Sequence, residues 1–150
     1  MAMKTLLTTL ITALALHTAQ AAGDHWLTDL PAAKVQAKKE NKLVLIDFTG
    51  SDWCPPCIKL NNEVLSKKEF LDYATKHFVL VEIDSPRKKP QPDELKATNQ
   101  KLKTEFAIKG VPTLVVVAPD GKEVWRKVGY GAGTGPQAII DALEAARKKS

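Results

Sequence analysis

The chain has 150 residues, 44% hydrophobic, 26% charged and 6% aromatic, with a formal net charge of +5. That length suits one domain around one core. The basic residues are scattered apart from short runs at Arg87-Lys88-Lys89 and Arg147-Lys148-Lys149; without a basic face interleaved with aromatics, a nucleic-acid binder is set aside.

Residues 1–21 read as a signal peptide. Lys4 gives a weak positive start, Leu6 to Leu16 is a short apolar stretch, and Ala19-Gln20-Ala21 supplies an A-x-A cleavage site. The stretch is too short to span a bilayer, and no cysteine marks a lipoprotein anchor; an uncleaved anchor is the other reading. Cleavage near Ala21 leaves residues 22–150 as one exported domain, periplasmic or secreted. Export places the cysteines where disulfides can form.

Pro31 to Asn41 predicts a lysine-rich helix with Ala33, Ala37 and Val35 inward. Leu43 to Thr49 is mostly apolar, as in a strand buried on both faces. A helix from Pro55 carries Cys57, Leu60 and Val64 on one face, and Ser66 is placed to cap a second helical segment. On that segment Phe70, Tyr73, Ala74 and His77 share a face, with His77 read as a packed boundary residue. Phe78 to Ile83 is a second strand.

Residues 85–92, Ser-Pro-Arg-Lys-Lys-Pro-Gln-Pro, break regular structure. The favoured reading of this stiff basic loop is a tolerated surface insertion; the other is a contact for an acidic partner. Asp93 to Phe106 is a polar helix held by Leu95, Leu102 and Phe106. Thr113 to Ala118 and Glu123 to Val128 are antiparallel strands joined by a tight turn at Pro119-Asp120-Gly121-Lys122. A glycine-rich loop follows. Pro136 then opens a last helix with Ile139, Ile140, Leu143 and Ala146 inward.

The only cysteines share one string, Trp53-Cys54-Pro55-Pro56-Cys57, between a strand and a helix start. A helix start stabilises a thiolate through unpaired N–H groups and the positive end of the dipole. Prolines fit that first turn but donate nothing, which leaves the N–H groups of Cys57 and Ile58 nearest to the Cys54 sulfur. Zinc would need about four ligands, and His25 and His77 lie far off in sequence. A structural disulfide would close too small a loop to restrict the unfolded chain much. A buried inert pair fits poorly with so much proline. A redox-active dithiol is the reading preferred over all three.

Four stretches together resemble the thioredoxin family: Leu45-Ile46-Asp47-Phe48 with Trp53-Cys54-Pro55-Pro56-Cys57, the run from Phe106 to Leu114 containing Gly110-Val111-Pro112-Thr113, the hairpin at Asp120-Gly121-Lys122-Glu123, and Lys127-Val128-Gly129. The string Thr49-Gly50-Ser51-Asp52-Trp53-Cys54 is similar more specifically to exported bacterial thioredoxin-like proteins. The resemblance covers nearly all of residues 22–150. It implies an α/β thioredoxin fold, with a central mixed sheet of four or five strands flanked by helices.

It further implies that Pro112 is cis and lies against the dithiol, and that Asp47 is an acid placed behind it to take a proton from Cys57. Three departures stand out. One extra residue separates Asp47 from Cys54, Leu80 replaces the lysine that usually faces the acid, and Thr49-Gly50 stands where a tryptophan is usual.

The implied protein is a thiol–disulfide oxidoreductase. Cys54 is its exposed nucleophile and Cys57 its resolving thiol. Trp53, Val111, Pro112 and Gly129 frame the substrate groove. No metal or organic cofactor is implied beyond the redox-active disulfide. The partners expected are proteins bearing disulfides or thiols and an upstream dithiol electron donor, membrane-bound or soluble, and the chain is read as a monomer. The buried acid favours a reductase. The Pro-Pro dipeptide and an oxidising compartment leave an oxidase or isomerase open, and a client-binding module of low turnover is the reading from another class.

Overall fold

A computed structural model of the chain describes residues 25–131 and 134–150. The expected signal peptide, residues 1–21, and the start of the expected domain lie outside them. In chain order the elements are β1 (Trp26–Leu27), α1 (Leu30–Glu40), β2 (Leu43–Thr49), α2 (Pro55–Leu60) running into a π turn (Asn61–Leu65), α3 (Lys68–His77), β3 (Phe78–Asp84), α4 (Asp93–Glu105), β4 (Thr113–Val117), β5 (Glu123–Val128) and α5 (Gly135–Arg147).

The five strands form one mixed sheet in the order β1-β3-β2-β4-β5. β2 runs parallel to β3 and antiparallel to β4, which pairs in turn with β5. This is the thioredoxin fold in its five-stranded form. β1, only two residues long, pairs with Leu80 and Val81; nothing in its sequence announced it.

Alternation along the central strands sends successive side chains to opposite faces. Val44, Ile46 and Phe48 join Val79, Val81 and Ile83 on one face, beneath Leu30, Ala33 and Ala37 of α1 and Leu102 of α4. Leu45 joins Leu80, Leu114 and Val116 on the other, beneath Leu60, Val64, Phe70, Ile139 and Leu143. Asp47 shares the parity of Leu45, so it points to the face that α2 covers. The extra residue comes after β2 and leaves this parity untouched. Parity therefore fixes on which face of the sheet the acid lies.

Four local expectations change. Val35 is 57% exposed rather than inward, because the buried stripe of α1 is Leu30, Ala33 and Ala37. Ser66 does not cap α3, whose N-cap is Lys67; the Ser66 hydroxyl instead donates to the Asn61 carbonyl and closes the π turn. On α4, Leu102 is buried and the Phe106 ring lies 5.4 Å from that of Phe48, whereas Leu95 is only half-buried. The buried polar residue on that helix is Asn99, whose side-chain amide donates to the Asp84 carbonyl at 2.9 Å. Ile140, expected inward on α5, is half-buried. His77 is half-buried and packs its ring, tilted, against that of Tyr73 with centroids 4.9 Å apart, a boundary residue as read.

Candidate active site

β2 ends at Thr49, and the chain then turns on the Gly50 carbonyl, which accepts from the N–H groups of Trp53 (3.3 Å) and Cys54 (3.0 Å). A Cβ on Gly50 would meet the Trp53 indole at 2.5 Å, so glycine is what lets the ring fold back over the turn. Cys54 is the N-cap of α2 with extended backbone (φ −98°, ψ 105°), and proline fills the first turn.

Cys54 and Cys57 are joined by a disulfide, their Cα atoms 5.3 Å apart. The Cys57 N–H donates to Cys54 Sγ at 3.3 Å. The other expected donor, the Ile58 N–H, goes to the Cys54 carbonyl instead. Once the bond is reduced, a thiolate at Cys54 is favoured by the Cys57 N–H and the helix start. Exposure does not separate the two cysteines. Each is 3% exposed, which corrects the expectation of an exposed Cys54. The cover over Cys54 comes in part from the 111–112 segment, since Cys54 Sγ lies 3.6 Å from the Val111 carbonyl oxygen.

The Val111–Pro112 bond is cis, Pro112 is buried and Val111 is half-buried. The Gly129 N–H donates to the Pro112 carbonyl at 2.8 Å. Gly129 has φ +76°, in the left-handed region that glycine occupies without penalty. Val111, Pro112 and Gly129 thus form one connected unit, which reaches the dithiol through the Val111 carbonyl.

Asp47 is 5% exposed, and its Oδ1 has no hydrogen-bond partner. Burial, then the charges of Glu82 and Asp84, push its carboxyl up to about 8. Asp47 and Cys57 both line a polar cavity of about 320 Å³, together with Glu82, Asp84, Asn61 and Lys89. Despite the extra residue before Cys54, the acid and the resolving cysteine border the same cavity. Leu80 pairs with Leu45, so Glu82, the register partner of Asp47, is the ionisable neighbour instead.

The basic loop is not a loosely tolerated insertion. Its backbone is bound to the turn that carries the dithiol. The Asp52 carboxylate accepts from the N–H groups of Arg87, Lys88 and Lys89 at 2.9, 2.8 and 2.8 Å. Those bonds hold the Asp52 carboxyl below its usual range. The Trp53 indole N–H donates to the Ser85 carbonyl at 2.8 Å, and the Arg87 guanidinium lies 3.6 Å from the indole centroid. The Ser51 N–H and hydroxyl both donate to the Asp84 carboxylate. Sequence reading missed Asp52, Ser85 and Arg87 as a unit, because more than thirty positions separate the two segments. Among the described residues, no group of three or more His, Cys, Asp or Glu is arranged to hold a metal.

Residues 30–146 match the family of thioredoxin-like domains. The chain is 38% identical over 112 residues to the disulfide bond reductase DsbH of Chlamydia pneumoniae, covering 75% of this chain and 66% of that protein. It is 32% identical over 135 residues to the thioredoxin-related protein DsbJ of the same organism, covering 86% of this chain but 39% of the relative. The solved structure of a DsbH oxidoreductase superposes with a TM-score of 0.77 at 33% identity, covering 98% of this chain and 95% of that one. With a linked Cys54–Cys57 pair on this fold, the chain belongs to the thioredoxin-like thiol–disulfide oxidoreductases.

Proposed function

We propose that this oxidoreductase works as an exported reductase of protein disulfides, acting as a monomer with its own dithiol as the only redox group. The observation that carries the reading is the cavity shared by Asp47 and Cys57. A carboxyl whose pKa is raised to about 8, in the same cavity as a resolving thiol, can receive that thiol's proton. The similarity to a protein named a disulfide bond reductase supports the same direction, and the signal-like residues 1–21 support export.

In the reduced protein the Cys54 thiolate attacks a substrate disulfide, forming a mixed disulfide and expelling one substrate thiolate. Trp53, Val111, Pro112 and Gly129 frame the groove in which the substrate lies. Asp47 takes the proton of Cys57. The Cys57 thiolate then attacks the Cys54 sulfur and releases the second substrate thiolate. Two electrons have passed to the substrate, and the Cys54–Cys57 disulfide is left for an upstream dithiol donor to reduce.

Insulin reduction by dithiothreitol, with and without the protein, tests turnover, and the equilibrium potential of the dithiol tests direction. A potential near about −230 mV or below supports the reductase. One between about −180 and −120 mV would assign an isomerase or oxidase instead. No acceleration at all would leave a client-binding module.

A further inference from the structure

The loop 85–92 is fastened to the active-site turn more firmly than a surface connection needs. Six hydrogen bonds from the Ser51 N–H and hydroxyl, the Trp53 indole and the N–H groups of Arg87, Lys88 and Lys89 join it and the end of β3 to residues 51–53. Asn99 and Gln91 hold the Asp84 carbonyl from behind. Pro86, Pro90 and Pro92 limit the backbone further. A surface this ordered in advance loses little entropy when a partner settles on it.

The charges are layered. Asp52, Asp84 and Glu82 are half-buried, whereas Arg87, Lys88 and Lys89 are exposed. Asp52 is committed to the backbone N–H groups of the loop, and of the loop's side-chain charges it is Lys89 that also acts on it. Arg87 lies over the indole of Trp53, the residue next to Cys54. The rim of the dithiol on this side is therefore cationic. It is also a poor platform for a base, because the guanidinium already occupies a face of the Trp53 ring, the one aromatic ring in residues 51–53 and 85–92.

We propose that the 85–92 loop is a docking surface for an acidic peptide segment lying beside the reactive disulfide of a substrate protein. Charges at such a rim steer encounter and select partners more than they add affinity. The proposal rests on the redox reading of the Cys54–Cys57 site.

Two disulfide-bridged peptides differing only in flanking residues, one set Asp/Glu and the other Ser/Gln, test it. At low salt the acidic peptide is expected to give a kcat/KM about ten-fold higher, a preference that fades as ionic strength rises. Lys88→Glu is expected to reduce the preference about three-fold or more, with Lys88→Gln between. Both variants should keep the wild-type rate toward a small neutral disulfide. Equal rates for the two peptides at low salt would overturn the docking surface.

A redox-independent arm keeps the two readings apart. Fluorescence anisotropy of a labelled, cysteine-free acidic peptide is expected to show binding that Lys88→Glu weakens. Should exchange fail with every disulfide while this binding persists, the redox reading falls and the docking surface stands. No binding, or tighter binding of an oligonucleotide of equal charge, overturns the docking surface.

Discussion

Asp47 and Glu82 are register partners on adjacent parallel strands, and both carboxylates line the cavity that Cys57 also borders. Burial does most to discourage the ionisation of Asp47, and the charges of Glu82 and Asp84 add to it. An acid poised in this way has consequences for rate and for stability.

For rate, Asp47→Asn is expected to slow release from a preformed mixed disulfide while sparing the initial attack by Cys54. General-base assistance is typically about 10²–10⁴-fold. The wild-type release rate should rise with pH through an inflection near 8 as Asp47 ionises, and the variant should lack it. Stopped-flow measurement on mixed disulfides checks both; an unchanged rate would make Asp47 structural.

For stability, the sign is opposite to that of a salt-bridged acid. The folded pKa lies above the unfolded one, so the folded state keeps a proton that the unfolded state has released. The ionisation-linked cost of Asp47 is therefore absent below about pH 4 and grows as pH rises toward 8. The stability of Asp47→Asn relative to wild type should climb across that window by on the order of 2–4 kcal/mol. Urea midpoints of the oxidised proteins at pH 4, 6 and 8 measure it. A constant difference would mean that Asp47 ionises at its ordinary pH.

The roles of the two cysteines follow from the Cys57 N–H, which points at Cys54 Sγ. Cys54→Ser should abolish exchange, and Cys57→Ser should accumulate mixed disulfides with client proteins. Alkylation of the reduced protein at mildly acidic pH should label Cys54 first. Mass mapping that found Cys57 labelled first would reverse the assignment.

Gly50→Ala tests the link between the turn and the loop. The added Cβ would fall 2.5 Å from the indole, which must move and give up the Ser85 carbonyl and the Arg87 guanidinium. Trypsin should then cut after Arg87 or Lys88 about five-fold faster or more, the change in opening expected for ~1 kcal/mol of local stability. Resistance equal to that of wild type would show that Asp52 holds the loop without Trp53.

Much of this was legible from local chemistry. The apolar run of β2, the Cys-Pro-Pro-Cys helix start and the Asp120-Gly121 hairpin each carry their structure in adjacent residues, where period and turn preference decide the outcome. Asp47 stood out for the same reason, as a charge inside an apolar strand. What adjacency cannot supply is pairing at a distance. Only the folded sheet sets Glu82 rather than Leu80 across from Asp47, because register is decided by the packing of whole strands. Only the folded chain shows the Asp52 carboxylate turned onto three backbone N–H groups far along the sequence. By composition, loop 85–92 was an ordinary solvated connection. Tertiary structure made it part of the active-site rim, because a carboxylate and an indole N–H at the turn found their partners in its backbone.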